Sequence, residues 1–277
     1  MTKQTSKKKS SRNKTSSKST PTLKLPALNK DALYARSILL PVVKEITIHL
    51  IGCGGTGSWL APHLARITKL LQDVHHLGVS LVFWDHDTVE EKNIFRQNFC
   101  EAEIGINKAE TLARRFGLAW GIEIIAVNAP FSRDAMYRNN LGARYGDNSM
   151  PVFITCVDNN KARQDIAKAS SENYGWWLDT GNIKTAGQMS IGRGWAPREP
   201  SPLRFPSMTT WTPLPSVQFR GILEDEPETR KEEVDYSEMS CAEIALVDEQ
   251  GLSINPAIAT TAASMLMKLL VTKDLQH

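Results

Sequence analysis

Glu45–Ile51, EITIHLI, runs without a break into residues 52–58, GCGGTGS, and residues 58–71 then place Trp59, Leu60, Leu64, Ile67 and Leu71 at apolar positions. The first segment is apolar and β-branched, as a buried strand is. The last has the three-to-four spacing of an amphipathic helix. Between them, Gly52, Gly54, Gly55 and Gly57 let the backbone turn tightly and approach a phosphate that the helix N-terminus attracts. A strand, a glycine-rich turn and a helix in that order predict a Rossmann-like nucleotide site. Taken alone, the turn does not separate ATP from NAD.

Working outward, the chain alternates strand and helix. Residues 79–84 (VSLVFW) read as a second strand ending on Asp85, where a carboxylate can accept both hydroxyls of a ribose. A helix is expected over residues 107–116 and a strand over 122–127. A buried strand over 151–157 ends on Asp158, followed by a helix over 162–170 and strands over 176–179 and 188–191. Residues 255–270 form a strongly apolar helix. This pattern predicts an α/β fold: a mostly parallel sheet with helices on both faces. Residues 195–237, rich in proline and acids, break the pattern as an irregular crossover or insert.

Composition narrows the function classes. Nine of the 33 basic residues lie within residues 1–30, which hold no acid, so residues 31–277 carry 24 basic against 30 acidic residues, a net of −6. The basicity belongs to a tail, and residues 1–25 are expected to be a disordered basic arm because they cannot bury enough apolar area to offset ordering entropy. Nucleic-acid contact is expected only weakly, through that tail. The apolar stretches are interrupted by Lys, His or Asp, so no membrane span is expected, and the first residues lack a signal-peptide core. Cys53, Cys100, Cys156 and Cys241 form no CxxC pair, which disfavours a zinc ribbon and suits reduced thiols in a cytoplasmic enzyme.

The residues just beyond Asp85 separate the nucleotides. They read DHDTVEEKNIFRQNF (85–99), and Lys108 follows Arg96 by twelve residues. Hydride transfer has no use for Asn93, Arg96 and Lys108 gathered there. Adenylation does, because charge grows on phosphate oxygens when a carboxylate attacks the α-phosphorus. Asp158 at a strand end is a candidate magnesium ligand, since that ion takes one or two carboxylates plus phosphate oxygens.

The ordered series GxGGxGS, DxDxVxxxNxxRQ, a later Lys in GxxKA, and VDN with a following Arg resembles the ThiF/MoeB family of ubiquitin-activating-enzyme-like adenylating proteins. In its compact form, basic tail and ending, the chain looks most similar to the PRTRC-system ThiF proteins of bacteria. The resemblance implies that ATP is bound with ribose contact by Asp85 and phosphate contacts by Asn93, Arg96 and Lys108. It also implies magnesium at Asp158. Asp87 matches the family's second acid and Gln97 its RQ pair. Arg163 matches the Arg after VDN, read as an ion-pairing residue. The implied partner is a small ubiquitin-like or sulfur-carrier protein ending in glycine, whose tail Gly181 and Asn182 would line, and the implied assembly is a homodimer. Tyr34 and Arg36 resemble, faintly, a Tyr-x-Arg signature of dimeric members.

Cys241 stands where some members carry a cysteine that captures the activated carrier. Glu238 and Glu243 nearby would raise its pKa, so a nucleophilic and a structural role both stay open. Two other readings of the whole chain also remain: an NAD-dependent oxidoreductase sharing the glycine turn, and a non-catalytic partner subunit of an activating complex.

Overall fold

The computed structural model describes residues 37–38, 40–142, 148–173, 175–182, 186–194, 208–209, 212–224 and 253–275. The expected basic arm over residues 1–25 lies outside them, as does most of 195–237.

The strands are β1 (Ser37–Ile38), β2 (Glu45–Ile51), β3 (Gly78–Trp84), β4 (Ile124–Val127), β5 (Ser149–Thr155), β6 (Trp176–Asn182), β7 (Gly187–Arg193) and β8 (Met208–Thr209). The helices are α1 (Gly55–Asp73), α2 (Lys108–Trp120), α3 (Arg133–Arg138), α4 (Asn160–Glu172), α5 (Pro215–Gln218) and α6 (Ile254–Leu266). Six strands form one sheet in the order β4-β3-β2-β5-β6-β7, and β1 pairs with β8 in a second, two-stranded one. All neighbours in the large sheet are parallel except β6 and β7. A short connection, residues 183–186, joins those two, as an antiparallel pair allows and a parallel one does not.

Alternation along the strands makes two cores. Ile46, Ile48, Leu50, Leu81, Phe83, Val152, Ile154, Trp176 and Leu178 point to the face covered by α1, α2 and α6. Ile51, Val82, Trp84, Phe153 and Trp177 point to the other, where Met136 of α3, Ile166 of α4 and Leu214 pack. Burial on both faces explains why these strands read as continuous apolar runs. The expected α/β fold is therefore the observed one.

The details differ in ways that follow from packing. The strand expected over 151–157 starts earlier and ends at Thr155, leaving Val157 and Asp158 beyond it. The strand expected over 176–179 continues to Asn182, so Gly181 and Asn182 lie within it and not after it. At the C-terminal end, α6 gives way to wider π-type turns over Met267–Val271. The segment Ile254–Val271 has a mean hydropathy of 1.4 over 18 residues, long and apolar enough to cross a membrane, which the sequence reading did not anticipate. Here it is a core helix: Ile258, Ala259, Ala262, Ala263 and Leu266 are buried.

β2 sits mid-sheet with β3 on one side and β5 on the other, so the chain reverses direction of sheet growth there. Ile51 aligns with both Trp84 and Thr155. The segments following all three strands consequently meet at one edge of the sheet, the switch point where open α/β sheets bind ligands.

Candidate active site

The turn after β2 is shaped by contact distances. Gly52 adopts a φ of +87°, and a Cβ there would lie 2.6 Å from the Cys156 carbonyl oxygen. A Cβ on Gly57 would lie 1.9 Å from the Gly52 carbonyl oxygen, so strand and helix approach too closely for any side chain. Gly54 is different: its nearest neighbour would be Gln97 Nε2 at 3.9 Å. The turn is thus closed by its neighbours at Gly52 and Gly57 and bare at Gly54. α1 begins directly after it, with no side-chain cap and no acid in its first turn. Those first N–H groups and the helix dipole favour an anion.

Beside the turn lies an acidic corner. Asp85, buried at the end of β3, accepts hydrogen bonds from Cys53 N (2.6 Å, Oδ2) and Asp87 N (2.9 Å, Oδ1). Burial pushes its carboxyl above the usual carboxylate range, while these N–H bonds and Lys108 pull against that shift. The carboxylate therefore ties the glycine turn to the start of the next loop.

Asn107 and Lys108 close the corner from the other side. Asn107 Nδ2 donates to the carbonyls of both Asp85 and Asp87, 3.0 Å each, and its Oδ1 caps α2 by accepting from Glu110 N. Lys108 is the first residue of α2, and its Nζ lies 3.1 Å from Asp87 Oδ2. Its side chain is only 8% exposed, whereas that of Asp87 is 53% exposed. A buried cation at a helix N-terminus opposes the dipole. Here Asp87 and the buried Asp85 carboxylate offset that cost.

The loop carrying Arg96 and Gln97 is fastened onto α1. Pro62, inside the helix, has no N–H for the Ser58 carbonyl four residues back. Asn98 Nδ2 donates to that carbonyl at 3.2 Å, and Asn98 N donates to Ser58 Oγ at 2.9 Å. One residue on, Trp59 Nε1 donates to the Arg96 carbonyl. Gln97 is buried, with its Oε1 lacking a hydrogen-bond partner and its Nε2 facing the open position at Gly54. Asn93, also buried, accepts from Glu90 N through Oδ1 and so shapes the turn that precedes Arg96.

The structure thus brings Gly54, Asp85, Asp87, Asn93, Arg96, Gln97 and Lys108 to one edge of the sheet. Asp158 shares that edge but is exposed. Among the described residues the acids and histidine whose ligand atoms lie within 4.8 Å of one another are Asp85, His86 and Asp87, and Asp158 is not among them. A metal at Asp158 would have one carboxylate and otherwise the oxygens of a bound triphosphate. Arg163 pairs with buried Asp179 at 3.0 Å and donates to the Val157 carbonyl, the ion-pairing role expected of it.

Burial raises the Cys53 thiol well above its usual range and Cys156 to about 12, so both pack as thiols. Cys241, Tyr34 and Arg36 lie outside the described residues.

Two contributors escaped the sequence reading. Asn107 could have been found as an N-cap with Glu110 three residues on. Asn255, on the first turn of α6, had no motif to reveal it.

The chain is 23% identical over 150 residues to ubiquitin-like modifier-activating enzyme 5 of Arabidopsis thaliana, covering 50% of this chain and 32% of that protein. It is 29% identical over 151 residues to the Drosophila persimilis protein of the same name, covering 52% and 37%. The matched part is thus about a third of those relatives' length. Among solved structures, E. coli MccB with MccA shares the fold at a TM-score of 0.53 and 16% identity, covering 84% of this chain and 58% of that one. PaaA does so at 0.52 and 17%, covering 84% and 66%. The ThiF family's sequence profile matches residues 39–276, most of the chain, and the protein belongs to the ThiF family.

Proposed function

We propose that this chain uses ATP to adenylate the C-terminal carboxylate of a small ubiquitin-like or sulfur-carrier protein ending in glycine. One observation carries the reading: Lys108 is buried against Asp87 at 3.1 Å, beside a glycine turn whose helix starts without cap or acid. A site of this kind suits a polyanion whose charge increases during reaction, and a nicotinamide has no such need. Names of relatives support the substrate class, since activating enzymes for ubiquitin-like modifiers are among them.

The residues fit ATP. Bare Gly54 and the first N–H groups of α1 suit phosphate oxygens, Asp85 at the strand end suits the ribose, and Arg96 and Lys108 suit the triphosphate. ATP supplies the electrophilic α-phosphorus. In the proposed reaction a carboxylate oxygen of the carrier forms a bond to that phosphorus, the bond to the β-phosphate oxygen breaks, and pyrophosphate leaves with the electron pair. The fixed cations stabilise charge on the phosphate oxygens without reorganising. Gly181 and Asn182, at the end of β6, would flank the carrier's tail. Asp158 would hold magnesium on the phosphates. In a following step the Cys241 thiolate would attack the acyl carbon of the adenylate, forming a thioester as the bond to the AMP oxygen breaks and AMP leaves, and a homodimeric assembly completes the proposal.

The test is exchange of labelled pyrophosphate into ATP, with β-grasp carriers ending in glycine as the second substrate. Exchange that requires the carrier's free C-terminus is expected. ATP binding without exchange for any such carrier, or a preference for NAD over ATP, would overturn the reading.

A further inference from the structure

Asn255 is fully buried at the start of α6, and its amide touches three distant parts of the chain. Its Oδ1 accepts from Thr56 Oγ1 (3.2 Å), in the first turn of α1, and from Asn182 Nδ2 (2.6 Å), at the end of β6. Its Nδ2 donates to the Arg96 carbonyl at 3.3 Å. A Cβ on Gly55 would lie 2.8 to 3.0 Å from all three amide atoms, so the amide is wedged against the glycine turn itself. A single planar group therefore meets the turn, the Arg96 loop and the strand end assigned to the carrier's tail.

The rest of the buried surface of α6 is apolar: Ile258, Ala259, Ala262, Ala263 and Leu266. A buried amide is tolerated only when its hydrogen bonds are made, and here they join two elements packed against α6, the first turn of α1 and the end of β6, to the carbonyl of Arg96 in the loop beside them. A carbonyl oxygen can only accept, so the contact with Arg96 fixes which amide atom faces that loop.

We infer that Asn255 is a positioning residue that sets the Arg96 loop in register with the glycine turn and with the end of β6. It acts through Arg96 and touches no reacting atom. The inference rests on the proposed adenylation reading. Its physical content is that removing the amide misplaces Arg96 while leaving Asp85 and the turn's backbone as they are. Triphosphate recognition should then fail selectively, and ribose recognition should persist. A misplacement of about an ångström is enough for a large loss in rate.

The experiment compares wild type with Asn255→Ala, Asn255→Asp and Thr56→Val. Binding of adenosine and of ATP is measured by calorimetry, thermal unfolding is recorded, and pyrophosphate exchange is followed with a glycine-ending carrier. Asn255→Asp keeps both acceptor contacts and loses the donor to Arg96. Thr56→Val removes one hydroxyl and preserves shape.

For both Asn255 variants, adenosine affinity should stay within roughly threefold of wild type, while the extra affinity of ATP over adenosine and the exchange kcat fall roughly 10- to 100-fold. Thr56→Val should fall between these and wild type. ATP affinity and kcat within twofold of wild type in the Asn255 variants would overturn the inference. So would equal loss of adenosine and ATP binding in every folded variant, which would mean packing alone. A wild type that binds no ATP would instead defeat the adenylation reading, so the two failures are distinguishable.

Discussion

Asn98 donates its side-chain amide, at 3.2 Å, to the carbonyl of Ser58, the one backbone acceptor in the first turns of α1 that Pro62 leaves without its helical N–H. A residue that would ordinarily weaken a helix interior here creates the acceptor that fastens the Arg96–Gln97 loop to the glycine turn's helix. The same arrangement gives a prediction about stability.

Asn98→Ala should destabilise the protein by roughly 1–3 kcal/mol, since it leaves the Ser58 carbonyl unsatisfied. In the Pro62→Ala background the alanine N–H can satisfy that carbonyl, so the further cost of Asn98→Ala should be smaller by about 1 kcal/mol. Urea unfolding of the four proteins measures the coupling. Strictly additive effects would mean that the proline and the asparagine do not share one acceptor.

Lys108→Met should lower pyrophosphate exchange by roughly 100-fold or more, because a buried cation beside developing phosphate charge is lost. Stability should change by no more than about 1 kcal/mol, since the lost pairing is to half-exposed Asp87 and the apolar replacement relieves charge at a helix N-terminus. Lys108→Arg should restore little, because a planar fork does not replace a point charge in a fitted space. Kinetics and melting of the two variants check this. A parallel fall of activity and stability would assign Lys108 to the scaffold.

Gly57 and Gly54 should respond in opposite ways. Gly57→Ala brings a Cβ to 1.9 Å from a backbone carbonyl, so unfolding should cost roughly 3 kcal/mol less or the chain should fail to fold. Gly54→Ala meets its nearest atom at 3.9 Å, so it should keep most of its stability and lose ATP affinity. Chemical denaturation and nucleotide titration on both variants separate a packing glycine from a ligand-facing one.

The opposite core carries a pH response. His49 is fully buried, stacked on Phe153 at 5.1 Å, with Nδ1 accepting from Trp84 Nε1. Burial depresses it from its ordinary value of 6.5 to about 3. Between those values the unfolded chain binds a proton that the folded chain does not. Stability from this group is therefore whole above pH 6.5 and is lost as pH falls toward 3, by up to about 1.4 kcal/mol per pH unit. In His49→Gln that part of the slope should vanish, whatever the variant's absolute stability. An unchanged slope between pH 6 and 4 would show that His49 is not the group responsible.

Much of this architecture could be read from residues alone, and the reason is local chemistry. The strand–turn–helix around Gly52–Ser58 has a periodicity that changes from continuous to three-to-four at the glycines, and tertiary contacts do not override it. Asp85 and Lys108 were legible because the ordered motif places them, although their mutual geometry was not. What stayed hidden was made by contacts far apart in sequence. Asn255 meets Thr56 across 199 residues, and no window of sequence contains both. The antiparallel β7 was hidden too, since strand direction depends on the length and course of a connection and not on composition. Asp158 was placed at a strand end, but the strand stops at Thr155, where the ladder with β2 and β6 ends.

The most direct measurement follows oxygen. A glycine-ending carrier whose C-terminal carboxylate is labelled with oxygen-18 is incubated with the protein, ATP and magnesium, followed by a thiol or amine acceptor, and the AMP is analysed by mass spectrometry. If the carboxylate attacks the α-phosphorus, each AMP released on acyl transfer should carry one labelled oxygen. Label in inorganic phosphate formed with ADP, or unlabelled AMP in the face of carrier turnover, would contradict the adenylation account.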